Sequence, residues 1–262
     1  MLAKLRDRRL LWPTAMTIAG LILLLGLGKW QLDRKAWKEG LIAAISARVD
    51  APAISIEDAF KRVQQSEGQR WDGDALEYVH VRAAGTFDHA QERHVYEPTP
   101  DGPGWLVFTP LYLKSEEKGS SREQEPCAGR IIVNRGWVPD ALKDPAKRAP
   151  GQVTGTVEIE GLARKSLPGG VFTPSPDPAR NMWYSREVGV LFGTCGSTKD
   201  KPFILDAAAE PAAAGDWPRG GGTRLDIPNR HLEYAITWFG LAAALLAVFL
   251  AYAIQRLRQP SE

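Results

Sequence analysis

Apolar residues gather at the two ends of this chain, while the middle alternates short apolar runs with polar, Pro- and Gly-rich stretches. From Leu10 to Gly28 the run LLWPTAMTIAGLILLLGLG holds nineteen residues without a charge. As a helix, at about 1.5 Å rise per residue, it comes close to crossing a hydrocarbon core of about 30 Å. From Tyr234 to Ile254 the run YAITWFGLAAALLAVFLAYAI holds twenty-one, followed by Arg256 and Arg258 as a stop. Both are expected to be spans. After the first, Trp30, Arg34, Trp37 and Leu41 recur at helical spacing and Ile42 and Ile45 extend the stripe, so the helix is expected to continue. Trp30 and Trp37 suit a membrane interface, and Arg34 between them is placed for a cation–π contact. Periodicity alone favours an interfacial anchor there over any chemistry.

Beyond Pro52 the pattern turns to strands: Glu77 to Phe87, His94 to Glu97, Trp105 to Leu113, Arg130 to Val138, Val153 to Ala163 and Phe203 to Leu205. Their β-branched and aromatic content, bounded by Gly, Pro and Asp, predicts an antiparallel sheet or small open barrel. Short helices are expected at 54–66 and 184–192, with loops ending at Arg130, Gly151 and Arg180. The low-complexity run AAAEPAAAGDWPRGGGT, ending at Thr223, reads as a tether. The expected fold is therefore two transmembrane α-helices flanking a β-rich α+β extracytoplasmic domain. Its parts are an N-terminus at 1–9, a span at 10–30, a juxtamembrane helix at 31–50, a β-rich domain at 51–205, a flexible tether at 206–228, a second span at 231–255 and a tail at 256–262.

Two spans put both termini on one side, but charge does not choose the side. Lys4, Arg6, Arg8 and Arg9 before the first span are matched by Lys29, Arg34, Lys35 and Lys38 after it. Long translocated domains are largely exempt from the charge rule, which favours cytoplasmic termini and an exported domain. The basic N-terminus and Gly26 with Gly28 also resemble a cleavable signal, although the apolar run is longer than a usual signal core. Nine residues are too few for a mitochondrial presequence, so a bacterial inner membrane with a periplasmic domain is expected. A net charge of +2 gives no concentrated basic surface and excludes nucleic acid as the expected partner. Cys127 and Cys195 form no C-x-x-C pair, and a disulfide and two unpaired thiols both stay open.

Hydrolase elbows, zinc-protease, phosphate-loop and dinucleotide motifs are missing, and GTCGSTK at 193–199 lacks the phosphate-loop spacing. His80, His89 and His94 sit in strand or turn patterns without a ligand cluster, and read as surface or hydrogen-bonded side chains. Three scattered Met residues give no copper site. No enzymatic activity is expected. A thiol nucleophile at Cys195 is the weakest alternative, because no His is placed to activate it. His231 differs because it opens a membrane helix, where a neutral, partly desolvated imidazole is available to iron. Ala235 one turn on and Trp238 two turns on give that face a small residue and then an aromatic plane, on which a flat macrocycle would lie. An ordinary aromatic belt of His231, Tyr234 and Trp238 is the reading that residue chemistry alone prefers.

Four blocks change that balance: GKWQLDRKAWKEGLI from Gly28, GTFDH from Gly85, NRGWVP from Asn134 and NRHLEYAITWFGLA from Asn229. Together they resemble the Surfeit locus protein 1 family, membrane factors that assist assembly of cytochrome c oxidase. The first and last blocks, abutting the two spans, are the specific ones. The resemblance implies a two-span protein with its domain outside the cytoplasm, binding haem a transiently. His231 would be the axial ligand of the haem iron, and Tyr234 and Trp238 part of the pocket wall. Trp30, Gln31, Arg34 and Trp37, with Asn134, Arg135, Gly136 and Trp137, would be interface or structural positions. The partners implied are the oxidase core subunit, haem a synthase and the lipid bilayer. A scaffold that grips a partly assembled oxidase without using haem is the alternative. The stretch ending at Glu187 and the Ala/Gly run match the family only loosely.

Overall fold

The computed structural model describes residues 8–65, 76–114, 129–193, 203–209, 217–223, 225 and 227–258 of the 262. They form two units, one of residues 1–44 with 225–262 and one of residues 45–224. Cys127 and Cys195 lie outside the described residues.

The first unit is a helix pair. Helix α1 runs unbroken over Arg8–Val49, 42 residues. At about 1.5 Å per residue that is roughly twice the thickness of a bilayer core. Its second half, from Lys29 on, is charged and carries i,i+4 ion pairs at Lys29–Asp33 (2.7 Å) and Lys35–Glu39 (2.6 Å). Helix α4 covers His231–Arg258. Both are long and apolar enough to cross a membrane. Their outward side chains, including Ile22, Leu23, Ile236 and Val248, lie exposed, a distribution that suits lipid.

The second unit is built on seven strands: β1 (Ile54–Ser55), β2 (His80–Phe87), β3 (Arg93–Tyr96), β4 (Gly104–Leu113), β5 (Arg130–Pro139), β6 (Thr156–Lys165) and β7 (Phe203–Ala207). Two short helices accompany them, α2 (Ile56–Gln65) and α3 (Val188–Phe192). The sheet order is β1-β2-β6-β7-β5-β4-β3, and a further β2–β4 pairing closes β2, β6, β7, β5 and β4 into a five-stranded barrel. The β-rich α+β domain expected from the sequence is present, with its barrel closed and with parallel pairs at β5–β7 and β1–β2. Closure removes the sheet edges that an open barrel would leave unpaired.

Helix α2 begins at a local cap, Ser55 Oγ accepting from Asp58 N at 3.1 Å. It lays Ile56, Ala59 and Val63 against the barrel interior of Val81, Leu111, Val133, Ile159 and Leu205. Strands β4 and β5 are buried on both faces over most of their length, which is why WLVFTPLYL reads as a continuous apolar run rather than an alternation. Their second face, with Ile204 of β7 beside it, packs Phe108 and Ile132 against Trp183, Val188 and Leu191.

The segment expected to be a free tether over 206–228 is not free in its described part. Asp206 belongs to β7, and Arg219 forms an isolated antiparallel bridge with Trp137. Trp217 packs at a tilt against Trp137, ring centroids 5.8 Å apart, and Thr223 Oγ1 donates to Asp206 Oδ2 at 2.9 Å. Low complexity hid this docking, because the residues that anchor the strap are widely spaced among Ala and Gly.

Candidate functional site

Within the helix pair the covered and half-covered positions of α1 include a seven-residue repeat: Leu10, Thr14, Thr17, Leu21, Leu24, Gly28, Gln31, Lys35, Lys38 and Ile42. On α4 the corresponding set is His231, Ala235, Trp238, Ala242, Leu245 and Phe249. This is the seam of an antiparallel coiled pair. Small residues bring the backbones together: a side chain added at Gly28 would meet Phe239 at 2.6 Å, and one at Gly20 would meet Leu245 at 2.8 Å. Ala235 and Ala242 are the buried residues of α4.

His231 lies at the head of this seam. Its Nδ1 is 2.7 Å from Oε1 of Gln31, a residue 9 % exposed and 200 positions away in sequence. Its Nε2 has no hydrogen-bond partner among the described residues. Close by, Lys38 Nζ donates to the Pro228 carbonyl at 2.5 Å, fixing the approach to α4. An imidazole with one nitrogen engaged by a neutral amide and the other without a partner fits a single axial bond to a haem iron.

The other sequence-selected residues of this unit divide. Trp30 and Trp37 are exposed, and Arg34 stacks over Trp37 at 4.4 Å on the helix surface. Tyr234 is exposed and Trp238 half-buried. The face bearing Ala235 and Trp238 is not open to a flat ligand: Ala235 is 1 % exposed, because this face is the seam against α1. A macrocycle laid along Ala235 is therefore corrected by the packing; Tyr234, off this face, is exposed.

Asn134, Arg135, Gly136 and Trp137 sit in the β domain and perform a structural task. The β4–β5 register passes from Leu106↔Trp137 to Phe108↔Asn134, so Arg135 and Gly136 together oppose Val107 in a β-bulge. Gly136 takes φ +118 there, and a Cβ would overlap the Arg219 backbone. Asn134 Nδ2 donates to Asp206 Oδ1 at 2.9 Å while its own oxygen accepts from Gly136 N at 3.2 Å. Trp137 Nε1 donates to the Glu97 carbonyl at 2.9 Å. The block thus bends β5 and seats the strap.

Beside the bulge lies a buried ionic cluster that sequence reasoning passed over. Glu92, His94, Arg148 and Arg135 are all at most 9 % exposed. Glu92 Oε1 accepts from His94 Nε2 at 2.7 Å and from Arg148 Nη2, and Arg135 Nη1 stands 3.8 Å from Glu92 Oε2. Burial works to raise the Glu92 carboxyl, but the hydrogen bonds of His94 and Arg148 and the arginine charge outweigh it and hold the pKa down to about 2. His94, read from the sequence as a surface or hydrogen-bonded side chain, is buried and hydrogen-bonded. Arg148 gave no signal because it lies in a loop of Pro, Ala and Lys. An open pocket of about 500 Å³ abuts the cluster; Lys143, Lys147 and Arg180 in its lining are balanced by Asp140, Asp144 and Glu92, so its charge selects no ionic ligand. Among the described residues no group of three or more His, Cys, Asp or Glu is placed to hold a metal ion.

Comparison with known proteins agrees with the blocks that flank the two helices. The SURF1 family model matches residues 18–243. A SURF1-like protein of Monosiga brevicollis is 36% identical over 236 residues, covering 86% of this chain and 81% of its own length. Surfeit locus protein 1 of Mus musculus is 34% identical over 223 residues, 84% of this chain and 68% of its own. The Homo sapiens protein of that name is 31% identical over 224 residues, with 84% and 70% covered. The family model runs from within α1 through the barrel strands into the first half of α4, and on these matches this chain belongs to the SURF1 family.

Proposed function

We propose that this protein is an assembly factor for a haem–copper terminal oxidase, anchored in the oxidase-bearing membrane by α1 and α4. Its domain lies on the non-cytoplasmic side, in a bacterium the periplasm. Its cargo is haem a, received from haem a synthase, held transiently and passed to the oxidase core subunit. His231 supplies one axial bond and Tyr234 flanks it, while Trp238, in the seam two turns along α4, holds the helix rather than the macrocycle. The observation that carries this reading is the His231 imidazole, held through Nδ1 with Nε2 left without a partner among the described residues. A single neutral ligand from the protein keeps the hold exchangeable, as handover requires. No covalent chemistry is assigned to the protein. The test is the visible spectrum of detergent-purified protein from cells that synthesise haem a. The expected result is a haem spectrum that His231→Ala abolishes; an absent haem band in the wild type, or an unchanged spectrum in the variant, rejects the reading.

A second reading, a scaffold that grips a partly assembled oxidase without using haem, is favoured by one feature of the β domain. Val171 and Phe172, at the tip of the loop after β6, are each 97% exposed. Two adjacent apolar side chains in water suit a partner surface. Crosslinking separates the readings: a His231→Ala protein that still captures the core subunit and supports full oxidase haem content favours the scaffold.

A further inference from the structure

The contact that decides how His231 meets a ligand comes from the other helix. Gln31 occupies a seam position on α1, is 9 % exposed, and turns its side-chain oxygen onto His231 Nδ1 at 2.7 Å. An amide oxygen only accepts, so this contact is a hydrogen bond only if Nδ1 carries the proton. In a neutral imidazole the remaining nitrogen, Nε2, is then a bare lone pair. The opposite amide orientation would place an N–H on Nδ1, force the proton to Nε2, and remove the only free donor pair the ring has for a metal.

We propose that Gln31 is a positioning residue for His231: across the helix seam it fixes the Nδ1–H tautomer and the ring orientation, and so presents Nε2 as the ligand atom for haem iron. The inference rests on the reading of His231 as that ligand. It adds a reason for the strength of the hold. Histidine ligands are commonly backed by a carboxylate, which draws the Nδ1 proton and makes Nε2 more basic. A neutral amide in that place orients the ring without adding charge, giving an iron bond of ordinary strength that can be surrendered. It also ties the site to helix pairing, because the ligand belongs to α4 and its orienting group to α1. The site is complete only when the seam is closed.

The full-length protein in detergent, labelled with ¹⁵N-histidine and free of haem, tests this directly. At pH 8 the His231 signals, assigned by their loss in His231→Asn, are expected to show a protonated Nδ1 and a bare Nε2. Gln31→Leu is expected to return the ring to a mixture dominated by Nε2–H, and Gln31→Glu, which keeps an acceptor, to preserve the wild-type pattern. A wild-type ring protonated on Nε2, or a Gln31→Leu ring with an unchanged tautomer, overturns the proposal. In protein purified from cells that make haem a, Gln31→Leu is expected to lose roughly tenfold or more in haem retention. Gln31→Glu is expected to retain haem more tightly than wild type and to lower the iron reduction potential; if the two variants behave alike in retention, the positioning role fails. A wild type without haem sinks the ligand reading itself, while the nitrogen spectra still decide what Gln31 does to the ring.

Discussion

Glu92 Oε1 and His94 Nε2 meet at 2.7 Å inside the β domain, with Arg148 closing on the same carboxylate oxygen. The two residues flank Arg93 at the start of β3, so the strand pairing of β3 with β4 and the ionic cluster are positioned by the same few residues. A carboxylate so placed is the counter-charge for two buried guanidinium groups. Its replacement removes the carboxylate that both of them face.

Glu92→Gln is therefore expected to destabilise the full-length protein by about 3 kcal/mol at neutral pH. The folded-state pKa of Glu92 lies at about 2, below the ordinary value of 4.5, so its contribution is present above the ordinary value and is lost as pH falls toward 2. Denaturant titrations of wild type and variant from pH 7 to pH 2 should show the gap widest at neutral pH and closing in acid. A gap that does not change with pH would place the destabilisation elsewhere.

Barrel closure makes Gly85 sensitive. It is paired on both sides, with Leu113 of β4 and Val157 of β6, and a Cβ there would overlap the Tyr112 backbone carbonyl. Backbone cannot rotate away as a side chain can, so Gly85→Ala should cost about 3 kcal/mol or more, at the upper end for overpacking. Gly189→Ala in α3, where nothing lies within 4 Å of the added atom, serves as the control and should be nearly neutral. Thermal unfolding followed by near-ultraviolet circular dichroism reads both.

The helix seam makes a paired prediction. Gly28→Val should push Phe239 off α1 and lower stability in detergent by about 1 to 3 kcal/mol. Phe239→Ala should restore part of that loss, because it removes the atoms that the new side chain meets. A double-mutant cycle with no interaction energy would mean that the two residues do not touch.

The strap predicts a protease pattern. Trp217 packs against Trp137, and the Arg219 guanidinium lies over Trp217 at 4.2 Å, so Trp217→Ala should loosen residues 217–223 from the barrel. Limited trypsin digestion is expected to cut after Arg219 faster in the variant, by roughly tenfold if about 1.4 kcal/mol of docking is lost. Equal rates would show that the strap's hydrogen bonds to Trp137, Ala207 and Asp206 hold it without the ring contact.

How much of this was legible beforehand follows from the range of each interaction. The spans were written in runs of uncharged residues, and the strands in apolar patches bounded by Gly, Pro and Asp, because desolvation and turn chemistry act over a few neighbouring residues. The family blocks were legible too, and so was His231 as a residue of interest, from its position at the head of a span.

What only the tertiary structure decided are the pairings between distant positions. The barrel closes because β2 meets both β6 and β4, which no local pattern encodes. Asn134 reaches Asp206 and Glu92 reaches Arg148 across 72 and 56 residues, and each pairing depends on where the strands fall in register. The seven-residue repeat was present in α1 from the beginning, but within the span both the lipid-facing and the seam-facing positions are uncharged, so composition could not show which face α4 covers. For that reason the sequence alone named His231 and placed Gln31 in a block of its own, and only the packing of α1 on α4 brought the two side chains together.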